Sequence, residues 1–109
     1  MNTVHLQDCI EGIKSLEAGS ANIVIADPPY NIGKDFGNDS DKQEMDEYLG
    51  WCDKWITECF RVLKDDGTLY IYGYSEILAF IRTRITHNVR WVIWHYTNKN
   101  VPSLNFWQR

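Results

Sequence analysis

Asn22-Ile23-Val24-Ile25-Ala26-Asp27-Pro28-Pro29-Tyr30 decides how this chain of 109 residues is read. Asn22 to Ala26 forms a continuous apolar run of the kind that fills a parallel strand buried on both faces. The run stops at Asp27, because Pro28 and Pro29 remove two backbone donors and cannot extend a ladder. In open α/β sheets ligands sit outside the carboxyl ends of the strands. Asp27-Pro28-Pro29-Tyr30 occupies such an end and offers a carboxylate, backbone carbonyls, no N–H from either proline, and an aromatic ring. A bare Asp-Pro-Pro also makes a tight turn, with the tyrosine as an ordinary packing residue. The strand before the motif and Asn31 after it favour a functional loop.

Working outward, the spacing predicts a short strand at Thr3 to Leu6 and a helix at Cys9 to Leu16, with apolar residues at 9, 10, 13 and 16. Asp8 is a natural N-cap for that helix. Beyond the motif, residues 31 to 41 are rich in Gly, Asp, Asn and Ser and read as an exposed, mobile loop. Met45, Tyr48, Leu49, Cys52, Trp55, Ile56, Cys59, Phe60 and Leu63 then recur at three- and four-residue steps, which predicts the longest helix, about Glu44 to Lys64. Asp65-Asp66-Gly67 reads as its terminating turn, with Gly67 in the left-handed conformation. Thr68 to Tyr72 reads as a strand, Glu76 to Ile85 as a helix and Val89 to His95 as a fourth strand. Residues 99 to 109 show no clear period. Four strands interleaved with three helices imply right-handed crossovers and a mostly parallel sheet with flanking helices, a single α/β domain over 1–109.

Composition bounds the remaining possibilities. Hydrophobic residues make up 44%, charged residues 24%, and there are fifteen aromatics, five Trp, six Tyr and four Phe, which excludes wholesale disorder. No apolar run approaches the roughly 20 residues of a membrane span. The first residues lack a basic segment followed by an apolar one, so the chain reads as cytosolic. Cys9, Cys52 and Cys59 fit neither a disulfide framework nor a C-x-x-C metal site, and the spacing of Cys52 and Cys59 is that of two small core residues. The net charge of −4 is unevenly spread: residues 1 to 66 carry −8 and residues 67 to 109 carry +4. A basic C-terminal third suits phosphate contact or an ordinary solvated face.

The loop's chemistry suggests its ligand. An exocyclic amine of adenine or cytosine has two N–H donors on a flat ring and a lone pair delocalised into that ring. If the Asp27 carboxylate accepts one N–H and the Pro28 carbonyl the other, the nitrogen becomes more tetrahedral and its lone pair is freed, while the acceptors stabilise developing positive charge. Tyr30 can stack on a base that has left its duplex.

On these residues the sequence resembles the amino-group DNA methyltransferases that use S-adenosylmethionine. Asp27-Pro28-Pro29-Tyr30 is similar to their catalytic motif, and its Asp and Tyr resemble the adenine-N6 enzymes more than the cytosine-N4 enzymes, which usually begin with Ser. Gln7-Asp8-Cys9 followed by a helix resembles the N-terminal segment of the permuted subgroup, in which the catalytic motif precedes the main cofactor motif. The segments 67–73 and 94–99 continue that order. The resemblance implies a partial Rossmann-like methyltransferase fold and a cytoplasmic, prokaryotic-type enzyme of restriction-modification acting on double-stranded DNA. It implies cofactor contacts from Asp8, Cys9 and Asp27, catalysis by Asp27, Pro28, Pro29 and Tyr30, and a target-base pocket of Tyr30, Asn31 and His95, with no metal. A histidine at the position of His95 is more often a hydrogen-bonded structural residue, and Lys34 and Lys99, though able to contact phosphate, read more readily as solvated lysines.

The sequence also departs from that family. It lacks the Phe-x-Gly-x-Gly loop and the recognition region, and none of its seven glycines forms a Gly-x-Gly pair. The expectation is therefore an incomplete catalytic domain, the N-terminal part of a longer enzyme. The alternatives are half of a complementing pair completed by a second chain, a non-catalytic remnant folding as a small α/β module, or a related enzyme acting on cytosine-N4, RNA or a glutamine side chain.

Overall fold

The computed structural model describes residues 2–31 and 44–95. Its elements run α1 (Cys9–Lys14), β1 (Ala21–Ala26), α2 (Met45–Val62), β2 (Leu63–Ile71) and α3 (Ser75–Arg82). β1 and β2 pair in parallel, joined by α2. The fold is α/β, a two-stranded parallel sheet flanked by helices, as expected for part of a Rossmann-like methyltransferase fold. The predicted loop at 31–41 beyond Asn31, with Lys34, and the segment from Tyr96 on, with Lys99, lie outside the described residues.

The core is the apolar stripe of α2 against α3 and the sheet. Tyr48, Leu49, Cys52, Trp55, Ile56 and Cys59 are buried with Ile77 and Ile81, and Val24, Ala26, Leu69 and Ile71 pack against them. Cys52 and Cys59 are core residues, as their spacing suggested, and burial pushes both thiols up to about 11. Among the described residues, no helix is long and apolar enough to cross a membrane.

Several expectations are corrected. Residues 3 to 6 and 89 to 95 are not strands, and Val4, Leu6, Val92 and Ile93 are exposed. β-branched residues favour strands only where a neighbour supplies the other half of the ladder. α1 ends two residues early at a Ser15 cap, and Arg61 of α2 donates to carbonyls that a further helical turn would have paired. Its two terminal nitrogens bond the carbonyls of Ile13 and Leu16 at 2.9 Å each, while its Nε holds Glu58 at 3.0 Å. α2 ends at Val62 rather than Lys64, since Leu63 is already extended and pairs with Ala21.

Gly67 is a further correction. The turn around it exists, but as an irregularity within β2: the register jumps from Ala21↔Leu63 to Ile23↔Thr68, looping out residues 64–67 opposite Asn22. Gly67 is not left-handed; Gly19 is the described glycine with positive φ, at +67°. A Cβ on Gly67 would lie 2.9 Å from the Asn22 carbonyl oxygen and 3.0 Å from that of Lys64, so close backbone approach demands glycine there.

Candidate active site

β1 delivers Asp27 to the carboxyl end of the sheet. Its last pairing is Ala26 with Ile71, reinforced by the Tyr72 amide donating to the Ala26 carbonyl at 3.0 Å. Beyond that point Pro28 and Pro29 have no N–H to offer. The loop is held instead by phenols. The Tyr30 hydroxyl donates to Asp27 Oδ1 at 2.7 Å, and the Tyr48 hydroxyl, from the first turn of α2, donates to the Pro29 carbonyl. Asn31, at φ +60°, lies in the left-handed region that Asn tolerates better than most residues.

Asp27 is exposed, and Pro28, Pro29, Tyr30 and Asn31 are half-buried. Burial first, then the hydrogen bond and negative charge of Asp27, push the Tyr30 phenol up to about 12. It therefore stays a neutral donor throughout the physiological range. The Tyr30 ring lies 6.2 Å from that of Tyr74, inclined at 55°. Just after β2, Tyr72 meets Trp94 at 5.5 Å and 59°. Aromatic surface thus gathers around one exposed carboxylate, an arrangement suited to a flat, donor-rich ligand.

The other candidate residues fall in two places. Asp8 caps α1, its Oδ2 accepting from the amides of Ile10 and Glu11 at 3.1 Å each. Cys9 is exposed beside it; partial burial and the Asp8 charge push its thiol up. Cys9 is coupled electrostatically to Cys59, which lies about three turns along α2 from Tyr48. Asp8 and Cys9 are therefore set apart from the loop. His95 is exposed and follows no strand, but its neighbour Trp94 packs on Tyr72 beside the end of β1.

Sequence reasoning missed Tyr48, Tyr72 and Tyr74. Tyr48 fitted the apolar stripe of α2 so well that its hydroxyl drew no attention. Tyr72 and Tyr74 stand directly after a strand that pairs with β1, and that position was the available signal.

A family model described as DNA methylase, of the N6 and N4 methyltransferases, matches residues 21–108. Type II methyltransferase M.HpaI of Haemophilus parainfluenzae is 36% identical over 95 residues, covering 83% of this chain and 30% of that protein. DNA adenine methyltransferase YhdJ of Escherichia coli K12 is 36% identical over 100 residues, covering 88% and 34%. Type II methyltransferase M.BamHI of Bacillus amyloliquefaciens is 33% identical over 88 residues, covering 80% and 21%. The chain spans about a third or less of the length of each of these relatives. With Asp27-Pro28-Pro29-Tyr30 inside the matched region, the chain belongs to the N6/N4 DNA methylase family.

Proposed function

We propose that this chain carries the catalytic loop of a DNA adenine-N6 methyltransferase, which modifies the exocyclic amine of a base flipped out of double-stranded DNA. The observation that carries this reading is an exposed carboxylate at the end of a parallel strand, in a loop with no proline N–H and with aromatic rings around it. One relative is named as an adenine methyltransferase, which favours adenine as the base. S-adenosylmethionine, when bound, supplies an electrophilic methyl group on a sulfonium sulfur.

The chain's own residues do the remainder. The Asp27 carboxylate and the Pro28 carbonyl accept hydrogen bonds from the two amine N–H groups, direct the nitrogen lone pair outward and stabilise the positive charge that develops as the new N–C bond forms and the methyl–sulfur bond breaks. Asp27, being exposed, can pass the displaced proton to water. Tyr30 offers its ring to the base, with Asn31 and His95 at the edges of the pocket.

The donor set suits the cofactor. Asp8 is a carboxylate that bonds two amides through one oxygen, and the acceptor capacity of such a group extends further, to an adenosine hydroxyl or amine. Cys9 stands exposed beside it, and in this reading Asp27 is where cofactor and base would meet.

In the intact protein, Asp27→Ala should lower methyl transfer by at least about a hundredfold, the scale for removing one preorganised charge-stabilising group, and leave duplex binding unchanged. Mass analysis of digested DNA reads both the loss and the base, with N6-methyladenine expected. Retained activity in Asp27→Ala sinks the role of Asp27, and N4-methylcytosine as the product sinks the assignment to adenine.

A further inference from the structure

The loop from Asp27 to Asn31 has a mechanical problem. Two adjacent prolines leave it without the N–H groups by which a strand end is usually tied to its neighbours. A carboxylate that must meet an amine at a fixed angle needs its rotamer held, and misplacement by about 1 Å can cost a hundredfold in rate. Tyr30 does not meet that need alone, since it belongs to the same loop and moves with it. Tyr48 belongs to a different element. It is 1% exposed, sits in the core beside Leu49 and Cys52, and its ring lies 5.8 Å from Trp51. Its hydroxyl nevertheless leaves the core to bond the Pro29 carbonyl.

That carbonyl belongs to the peptide joining Pro29 to Tyr30, so holding it fixes the plane from which Tyr30 departs. Tyr30 in turn donates to Asp27 Oδ1 at 2.7 Å. A relay of two phenols thus runs from the buried Tyr48 of α2 to the carboxylate. We propose that Tyr48 is a positioning residue for methyl transfer, acting through the Pro29 carbonyl and Tyr30 to hold the Asp27 carboxylate at its working angle. This role rests on the reading of the loop given above. It gives the first turn of α2 a part in the reaction beyond packing, although Tyr48 touches neither base nor cofactor.

The test is Tyr48→Phe in the intact protein, which keeps the buried ring and removes one O–H. Its kcat should fall about tenfold, the equivalent of about 1.4 kcal/mol in the barrier, while KM for S-adenosylmethionine and for duplex DNA stays within about twofold. The carbon-13 resonance of the Pro29 carbonyl should move, reporting the lost hydrogen bond independently of activity. Ile56→Val, a core change on the same helix, should lower the melting temperature at least as much and leave kcat alone. A Pro29 resonance that does not move overturns the proposal whatever the activity. An equal loss of kcat in Ile56→Val makes the effect structural and overturns it also. If Asp27→Ala abolishes transfer while Tyr48→Phe retains full kcat, the relay is wrong and the reading of the loop stands. If Asp27→Ala is active, the reading of the loop itself fails, and the relay has no reaction to serve.

Discussion

The two faces of the sheet are built from nearly the same residues and end in opposite environments. On one face Val24, Ala26, Leu69 and Ile71 pack against the buried stripe of α2 and α3. On the other, Ile23 is 60% exposed, Ile25 66% and Tyr70 50%. Side chains alternate across a strand, so parity alone decides which face each residue serves. The register keeps that parity across the pair, Val24 beside Leu69 and Ile25 beside Tyr70. Both α1 and α2 contribute to the covered side: Ile10 and Ile13 of α1 also pack against the core. The apolar run of β1 is thus suited to cover on two sides and, among the described residues, receives it on one. The same division reaches the candidate active site, whose phenol anchor, Tyr48, comes from the covered side.

The largest way to break this contrast is to empty the covered side. Trp55 is 4% exposed, at the centre of the α2 stripe, with its ring 6.1 Å from Trp51. Trp55→Ala removes a large buried side chain and should cost about 3–5 kcal/mol, read from denaturant unfolding. Since Tyr48 stands two turns away on the same stripe, the loop should loosen as well, visible as a loss of the Tyr30 phenol's elevated titration near pH 12. The sign follows from the direction of the shift. A phenol whose titration is raised on folding favours the folded state below about pH 10, and that support fades as pH rises through 12.

A smaller effect is expected at the edge of the covered layer. Asp8 holds the first amides of α1, and Asp8→Ala should cost about 1 kcal/mol, the usual worth of an N-cap. Asp8→Asn, which keeps an acceptor at the same position, should restore most of that stability. If stability returns with Asn while cofactor binding does not, the two roles of Asp8 are separated.

What could be read from the sequence follows the same division. β1, α2 and the parallel crossover were legible because their signals are local: a run of four apolar residues from Ile23 to Ala26, a helical stripe, and prolines that end a strand. So were the cap at Asp8 and the core thiols at Cys52 and Cys59. The strands expected at residues 3–6 and 89–95 were not borne out, because a strand is completed by a partner that its own residues do not encode. The early end of α1 was not legible because the group that takes up its last carbonyls, Arg61, lies 45 residues away from the carbonyl of Leu16. Tyr48 was legible as core and illegible as anchor for a similar reason. The stripe accounts for its ring, whereas its hydroxyl partner lies 19 residues back in a loop without periodicity.

The smallest predicted effect decides most about the contrast itself. Ile25 is next to Val24 in the chain, is of similar character, and points to the opposite face. If that face meets only water, Ile25→Thr removes little buried surface, keeps the β-branched shape a strand prefers, and should change stability by no more than about 0.5 kcal/mol. Burying the same side chain in a packed layer is worth about 1.5–3 kcal/mol. The two cases are therefore separable by urea unfolding, whose midpoint resolves such a difference. A change within the smaller bound keeps the two faces distinct. A cost near the larger one, measured in the intact protein, would mean that the second face is covered there, and that β1 is buried on both sides as its sequence suggests.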